Sequence, residues 1–244
     1  MARQRADLLL VARGVFDSRA KARAAIESGG VIANGKRVAK PADLLEEDCT
    51  INAVAAHPWV GRGGVKLYHA LGLWPVSVDS RTVLDLGAST GGFTQVCLAR
   101  GALRVFAVDV GRDQLHPVLR GDARVIEMSG TDVRDLQPSM IAPAPELVVC
   151  DLSFIGLAKA LSPALALAVP GADLICMVKP QFEATGPSAI GKGGMVRAAA
   201  QQQQALMAAC DWLQAEGWTV RETADSPILG GDGNREFLLW ATKR

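Results

Sequence analysis

The sequence predicts an α/β protein in two parts, a small N-terminal module followed by a doubly wound, mostly parallel sheet. Three observations predict it. From Val65 onward, short and nearly continuous apolar runs alternate with helical stretches, as expected of strands covered by helices on both faces. A glycine-rich turn, Asp85–Phe93, directly follows one such run. Residues 1–57 differ from the rest in charge and period, and a Pro/Gly-rich linker, 58–64, separates them from residues 65–244.

The first module is predicted as follows. Leu8-Leu9-Leu10-Val11 belong to a short helix. Ser18 suits the N-cap of a second helix running to Glu27, with Gly29-Gly30 ending it. Val31–Val38 reads as a tight hairpin, because Asn34-Gly35 supplies the positive φ angles such a turn wants. A last strand is expected at Cys49–Ile51.

In the larger part, a helix over Val65–Leu71 precedes a strand at Thr82–Leu86. A helix at Gly92–Arg100, a strand at Arg104–Val108 and strands at Arg124–Ile126 and Leu147–Cys150 follow. One helix is expected over Ile155–Val169, then a strand at Leu174–Val178. Lys179–Glu183 shows no helix signal, and Pro180 is expected to hold it extended. Residues 186–194, with Lys192, read as a flexible loop that is a lid, an RNA-contacting segment or a disordered insertion. A long helix over Arg197–Glu216 and strands at Thr219–Thr223 and Glu236–Ala241 close the chain.

The 244 residues are 49% hydrophobic, enough for a substantial core, so disorder is not expected. Net charge is only +1, but residues 1–40 hold nine Lys/Arg against three acids. A basic head on a near-neutral body points to a nucleic-acid-contacting module. Arg19, Lys21, Arg23, Lys36 and Arg37 are the candidate contacts. The five cysteines are scattered and show no CxxC spacing, so neither a disulfide framework nor a metal site is expected. Cys97, Cys150 and Cys176 fall in apolar runs and read as core. With no secretory signal and no membrane-spanning stretch in view, a cytoplasmic protein is expected.

The chemistry gathers on the sheet. Asp85-Leu86-Gly87-Ala88-Ser89-Thr90-Gly91-Gly92-Phe93 lacks both the G-x-G-x-x-G spacing and a following Lys-Ser/Thr, which weakens the dinucleotide and phosphate-loop readings. It resembles the S-adenosyl-L-methionine (SAM) turn of class I methyltransferases. Asp109, at the end of the next strand, suits the hydroxyls of a ribose. Asp132 either meets an adenine amino group or caps local structure.

Lys66, Asp151, Lys179 and Glu236 complete the set. The first precedes the turn and the others stand at strand edges, an order that can bring four charges to one end of a sheet. A ribose hydroxyl becomes a competent nucleophile for a sulfonium methyl only as its proton is removed. A lysine does this in its amine form, which a second lysine and partial burial favour. Lys179 is therefore expected to be the general base and Lys66 to position the 2′-oxygen, with Asp151 and Glu236 orienting both.

These residues, taken together, resemble the TlyA family, the hemolysin-named ribosomal RNA 2′-O-methyltransferases related to the FtsJ type. Ser18-Arg19-x-Lys21-Ala22 and Val31-x-x-Asn34-Gly35-Lys36 are similar to an S4 RNA-binding domain. Arg62-Gly63-Gly64-x-Lys66-Leu67, Asp85–Phe93, Asp151–Ile155, Lys179–Glu183 and Gly233-Asn234-Arg235-Glu236 are similar to the family's methyltransferase motifs. The resemblance implies a class I, Rossmann-like SAM-dependent methyltransferase sheet behind an S4-like α/β RNA-binding domain. It also implies SAM as donor, a Lys-Asp-Lys-Glu tetrad, and the 2′-hydroxyl of cytidine in rRNA of either subunit as target. Ribosomal RNA or ribosomal subunits are the implied partners; no stable protein partner and no membrane association are expected. The chain departs from the family at His57, where an arginine is frequent, and over Ala184–Ile190, where a Gly/Arg-rich stretch is usual. A membrane-lytic protein would need an apolar span or a cationic amphipathic helix, and neither is visible. A binding-only assembly factor has no need of two lysines in one crevice.

Overall fold

The computed structural model describes residues 2–183, 191 and 194–244. Most of the expected loop over 186–194, with Lys192, and the departure at 184–190 lie outside the described residues. The chain divides into two compact units, residues 1–58 and 59–244.

In the smaller unit, strand β1 (Arg3–Arg5) leads into helix α1 (Ala6–Ala12), and α2 spans Arg19–Glu27. Ser18 caps α2: its hydroxyl accepts the Lys21 N–H at 3.3 Å. β2 (Val31–Ala33) turns back into β3 (Lys36–Arg37) through Asn34 and Gly35, both at positive φ. β4 (Leu44–Glu46) pairs with β1, and β5 (Ile51–Ala53) pairs with β2. This last strand starts two residues later than the sequence suggests. Leu9, Leu10, Ala22, Ile26 and Val31 form the core.

In the larger unit, α3 (Gly63–Leu73) starts two residues earlier than expected, inside the linker's glycines. Then come β6 (Thr82–Leu86), α4 (Gly92–Ala99), β7 (Arg104–Asp109), α5 (Pro117–Arg120), β8 (Val125–Ser129) and β9 (Leu147–Cys150). The helix expected over Ile155–Val169 is two short ones, α6 (Leu157–Ala160) and α7 (Ser162–Ala166). Pro163 explains the break, since it has no N–H to donate to the preceding turn. β10 (Asp173–Val178) follows. Lys179–Glu183 is not extended as expected: Pro180 opens a one-turn helix, α8 (Pro180–Glu183). The fixed φ of proline suits a first helical position as well as an extended one. α9 (Ala199–Ala215), β11 (Trp218–Asp225) and β12 (Phe237–Lys243) complete the unit.

Among the described residues, seven strands form one sheet in the order β11-β12-β10-β9-β6-β7-β8. All neighbours run parallel except β12, which is antiparallel to both β10 and β11. Alternate strand residues serve two cores. Leu84, Leu86, Leu174 and Cys176 pack with α6, α7 and α9, whereas Val83, Ile175 and Met177 pack with α3 and α4. Cys97, Cys150 and Cys176 are fully buried. Among the described residues, no helix is long and apolar enough to cross a membrane.

Candidate active site

Strand order fixes where the site lies. β6 and β9 are neighbours, and the chain leaves them towards opposite edges of the sheet, which makes a topological switch point. A ligand binds beyond the carboxyl ends of strands there, where Gly87 and Asp151 stand. β10 ends one strand further on, at Lys179. Because β12 is antiparallel and pairs Phe237 with Val178, its first end brings Glu236 to the same rim.

The four charges meet. Lys66 Nζ lies 2.6 Å from Glu236 Oε2 and 3.4 Å from Asp151 Oδ2, and Lys179 Nζ lies 2.7 Å from Asp151 Oδ1. Lys179 also donates to Ser153 Oγ at 2.8 Å and to the Asp151 carbonyl at 3.3 Å. Lys66, Lys179 and Glu236 are buried, and two ammonium groups balance two carboxylates. Such pairing makes burial of these charges tolerable. Lys66 reaches the rim because α3 approaches α4 closely: a Cβ on Gly92 would meet the Gly64 nitrogen at 2.8 Å. Gly92 therefore serves helix packing as well as the turn.

A cavity of about 520 Å³ opens over the tetrad, lined among others by Gly61, Arg62, Thr90, Phe93, Phe154 and Gln181. A second, of about 500 Å³, is lined by Asp109, Gln114, Asp132, Val133 and Arg134. The two share Gly87, Ser89, Asp151, Ser153 and Phe154. Ala88 also lines the first cavity. Asp109 sits at the junction of turn and strand; its carboxylate accepts the Ser89 N–H at 2.8 Å and the Gly111 N–H at 2.7 Å. Each oxygen keeps a lone pair for a further donor. Asp132 caps a 3-10 turn at Val133–Asp135 and accepts the Arg134 guanidinium at 2.6 Å, which holds its carboxyl down at about 2.

Two turn residues expected to contact a ligand line neither cavity. Gly91 has φ +92°, and a Cβ there would strike Leu119 and Leu115. Asp85 is fully buried beneath the turn, where Thr94 donates to its Oδ2 at 2.6 Å and Oδ1 has no hydrogen-bond partner among the described residues. Burial pushes its carboxyl up to about 7, against the Thr94 hydrogen bond and with help from Asp151. It props the turn from below.

Sequence reasoning did not single out three further residues of this rim. Ser153 holds Lys179. Phe154 is 92% exposed with φ +70°, its ring 5.6 Å from that of Phe182. A bulky residue in the left-handed region is strained and suggests a constrained, functional position. Gln181 lines the cavity while bonded to Asp232. Ser153, Phe154 and Gln181 all fall within motifs visible in the sequence, but nothing in their spacing marks them.

In the smaller unit, the five candidate RNA contacts are exposed except Lys21, which is half-buried. Lys36 and Arg37 share β3. Arg19 is held by the fully buried Asp7 at 2.9 Å, as is Arg5 at 3.0 Å. Lys21 pairs with Asp17 at 2.7 Å, and Arg23 with Glu27 at 3.9 Å.

Residues 59–243 match the FtsJ-like methyltransferase family and residues 4–50 match the S4 domain. Fold and site thus define an FtsJ-like methyltransferase fused to an S4 domain. The chain is 40% identical over 240 residues to the 16S/23S rRNA (cytidine-2′-O)-methyltransferase TlyA of Mycobacterium tuberculosis, covering 98% of this chain and 89% of that protein. It is 34% identical over 236 residues to Hemolysin A of Brachyspira hyodysenteriae, covering 96% and 98%. A solved structure of a hemolysin-named protein from Streptococcus thermophilus matches with a TM-score of 0.78 at 36% identity, covering 100% of this chain and 89% of that one. The chain belongs to the TlyA family.

Proposed function

We propose that this protein transfers a methyl group from SAM to the ribose 2′-hydroxyl of a cytidine in ribosomal RNA of the small subunit, the large subunit or both, in the cytoplasm. The ion-paired chain Glu236–Lys66–Asp151–Lys179 in the wall of a cavity carries the reading. Similarity to a 16S/23S rRNA (cytidine-2′-O)-methyltransferase supports it.

The second cavity fits SAM. Asp109 offers lone pairs to ribose hydroxyls, and Asp132 with the Val133–Arg134 backbone offers polar edges to an adenine. Gly87, Ala88, Ser89, Thr90 and Phe93 line the path from there to the tetrad. SAM would supply an electrophilic methyl on a sulfonium.

Lys179 takes the proton of the 2′-hydroxyl as the oxygen–methyl bond forms. Among the described residues its Nζ donates to Ser153 Oγ and the Asp151 carbonyl and is ion-paired with Asp151 Oδ1. In the amine form it releases one of these contacts and turns a lone pair to the hydroxyl. Lys66 donates to the 2′-oxygen and steadies its developing charge. Asp151 and Glu236 hold the two lysines apart and in register. Phe154 offers a face on which an unstacked base can stack. Arg19, Lys21, Arg23, Lys36 and Arg37 meet phosphates, giving salt-sensitive affinity.

The test is transfer of tritiated methyl from SAM to separated ribosomal subunits and to naked rRNA. Label on RNA supports the reading and names the substrate; SAM binding without label on any fraction overturns it.

A further inference from the structure

The amide of Gln181 is oriented by its surroundings and left half-used. Gln181 is 8% exposed and lines the cavity over the tetrad. Nε2 donates to Asp232 Oδ2 at 3.2 Å. That carboxylate is itself fixed, accepting Asn234 Nδ2 at 2.7 Å and the Asn234 N–H at 3.1 Å. Asn234 is 1% exposed and cannot turn over, since its Oδ1 accepts the Val196 N–H at 2.9 Å while Nδ2 also reaches the Gly194 carbonyl at 3.1 Å. A carboxylate only accepts, so the Gln181 amine must face Asp232 and Oε1 must face away. Oε1 is buried and has no hydrogen-bond partner among the described residues.

Native structures leave few buried acceptors unanswered, and one held so rigidly calls for a donor on the ligand. If the function proposed above is right, that ligand is a cytidine within an RNA chain. Such a nucleoside has two donor groups, the 2′-hydroxyl and the exocyclic N4 amine. The hydroxyl proton goes to Lys179. The N4 amine remains.

We propose that Gln181 Oε1 accepts a hydrogen bond from the N4 amino group of the target cytosine, making Gln181 a specificity-determining residue. A uridine presents its O4 carbonyl at the same place and sets acceptor against acceptor, so the hydrogen bond gained with cytidine is replaced by a repulsive contact. Asp232 acts one step behind, as the residue that stops the amide from turning over.

The test uses the full-length protein on subunits whose methylated cytidine has been located by mass spectrometry, and on reconstituted subunits with uridine there. Wild type is expected to favour cytidine by about 100-fold or more, in the range set by an unpaired polar group in a built site. Gln181→Met keeps the side-chain length and removes the amide; the ratio should fall below about tenfold, mostly through slower reaction on cytidine. Asp232→Ala frees the amide to present its amine, and transfer to uridine should rise. SAM affinity by calorimetry verifies that each variant is folded. A ratio unchanged in both variants, or equal rates on the two bases with wild type, overturns the inference. Absence of label on any RNA instead overturns the 2′-O-methyl transfer reading on which it rests.

Discussion

Asp151 bridges the two lysines of the site, with Oδ1 2.7 Å from Lys179 and Oδ2 3.4 Å from Lys66. One carboxylate at the end of β9 thus sets the spacing between the proposed base and the group that steadies the 2′-oxygen. Asp151→Asn should leave the fold intact and lower single-turnover methyl transfer by about 100-fold, the scale of a 1 Å misplacement of reacting groups. Rapid-quench measurement with saturating SAM checks this.

Glu236 acts on Lys66 alone among the pairs seen, at 2.6 Å. Glu236→Gln should slow the chemical step by about 10- to 100-fold while KM for RNA changes little, because Lys66 would be drawn towards Asp151. Steady-state kinetics on the labelled subunit separate the two effects.

Phe154 is held in a strained backbone conformation with its ring exposed. Phe154→Ala should weaken RNA binding by about 1–3 kcal/mol, the usual worth of a base stacked on an aromatic ring. Filter binding of subunits in the presence of S-adenosylhomocysteine measures it. Thermal stability should not fall, since the side chain buries little.

Lys36 and Arg37 lie exposed on a hairpin strand. Replacing both by Ala should reduce the salt dependence of RNA affinity, lowering the slope of log K against log salt by about two units if each meets one phosphate. An unchanged slope would remove this hairpin from the RNA-binding surface.

Asp85 gives the fold a pH dependence of defined sign. Its carboxyl is raised from 3.8 to about 7 by burial, so the folded state binds its proton more tightly than the unfolded chain does. Its contribution to stability is complete below the ordinary value of 3.8 and is lost as pH rises towards about 7. Asp85→Asn keeps the shape and removes the titration. Urea unfolding should therefore show that this variant gains stability relative to wild type between pH 5 and about 8.

Much of this was legible in the sequence because strand ends carry both topology and chemistry. Apolar runs locate β6, β9 and β10; the glycine turn after β6 and the charged residues after β9 and β10 mark the rim. Glu236 could be placed only once β12 was known to run antiparallel beside β10. What stayed hidden depends on neighbours distant in the chain. Pro180 is compatible with both an extended segment and a first helical turn, and packing decides for α8. Asp85 looks like a ligand contact by position, but its burial under Thr94 turns it into a support. Gln181 carries no signal of its own; its orientation follows from Asp232 and Asn234, some 50 residues later.

The central claim is that Lys179 drives methylation of a ribose 2′-oxygen. It is tested most directly by alkaline hydrolysis of RNA labelled with tritiated methyl from SAM. A 2′-O-methyl group protects the adjoining phosphodiester, so wild type should leave the label in alkali-stable dinucleotides, and Lys179→Met should lower its rate of appearance by about 10²- to 10⁴-fold. Label released in mononucleotides, or a Lys179→Met rate equal to that of wild type, would contradict it.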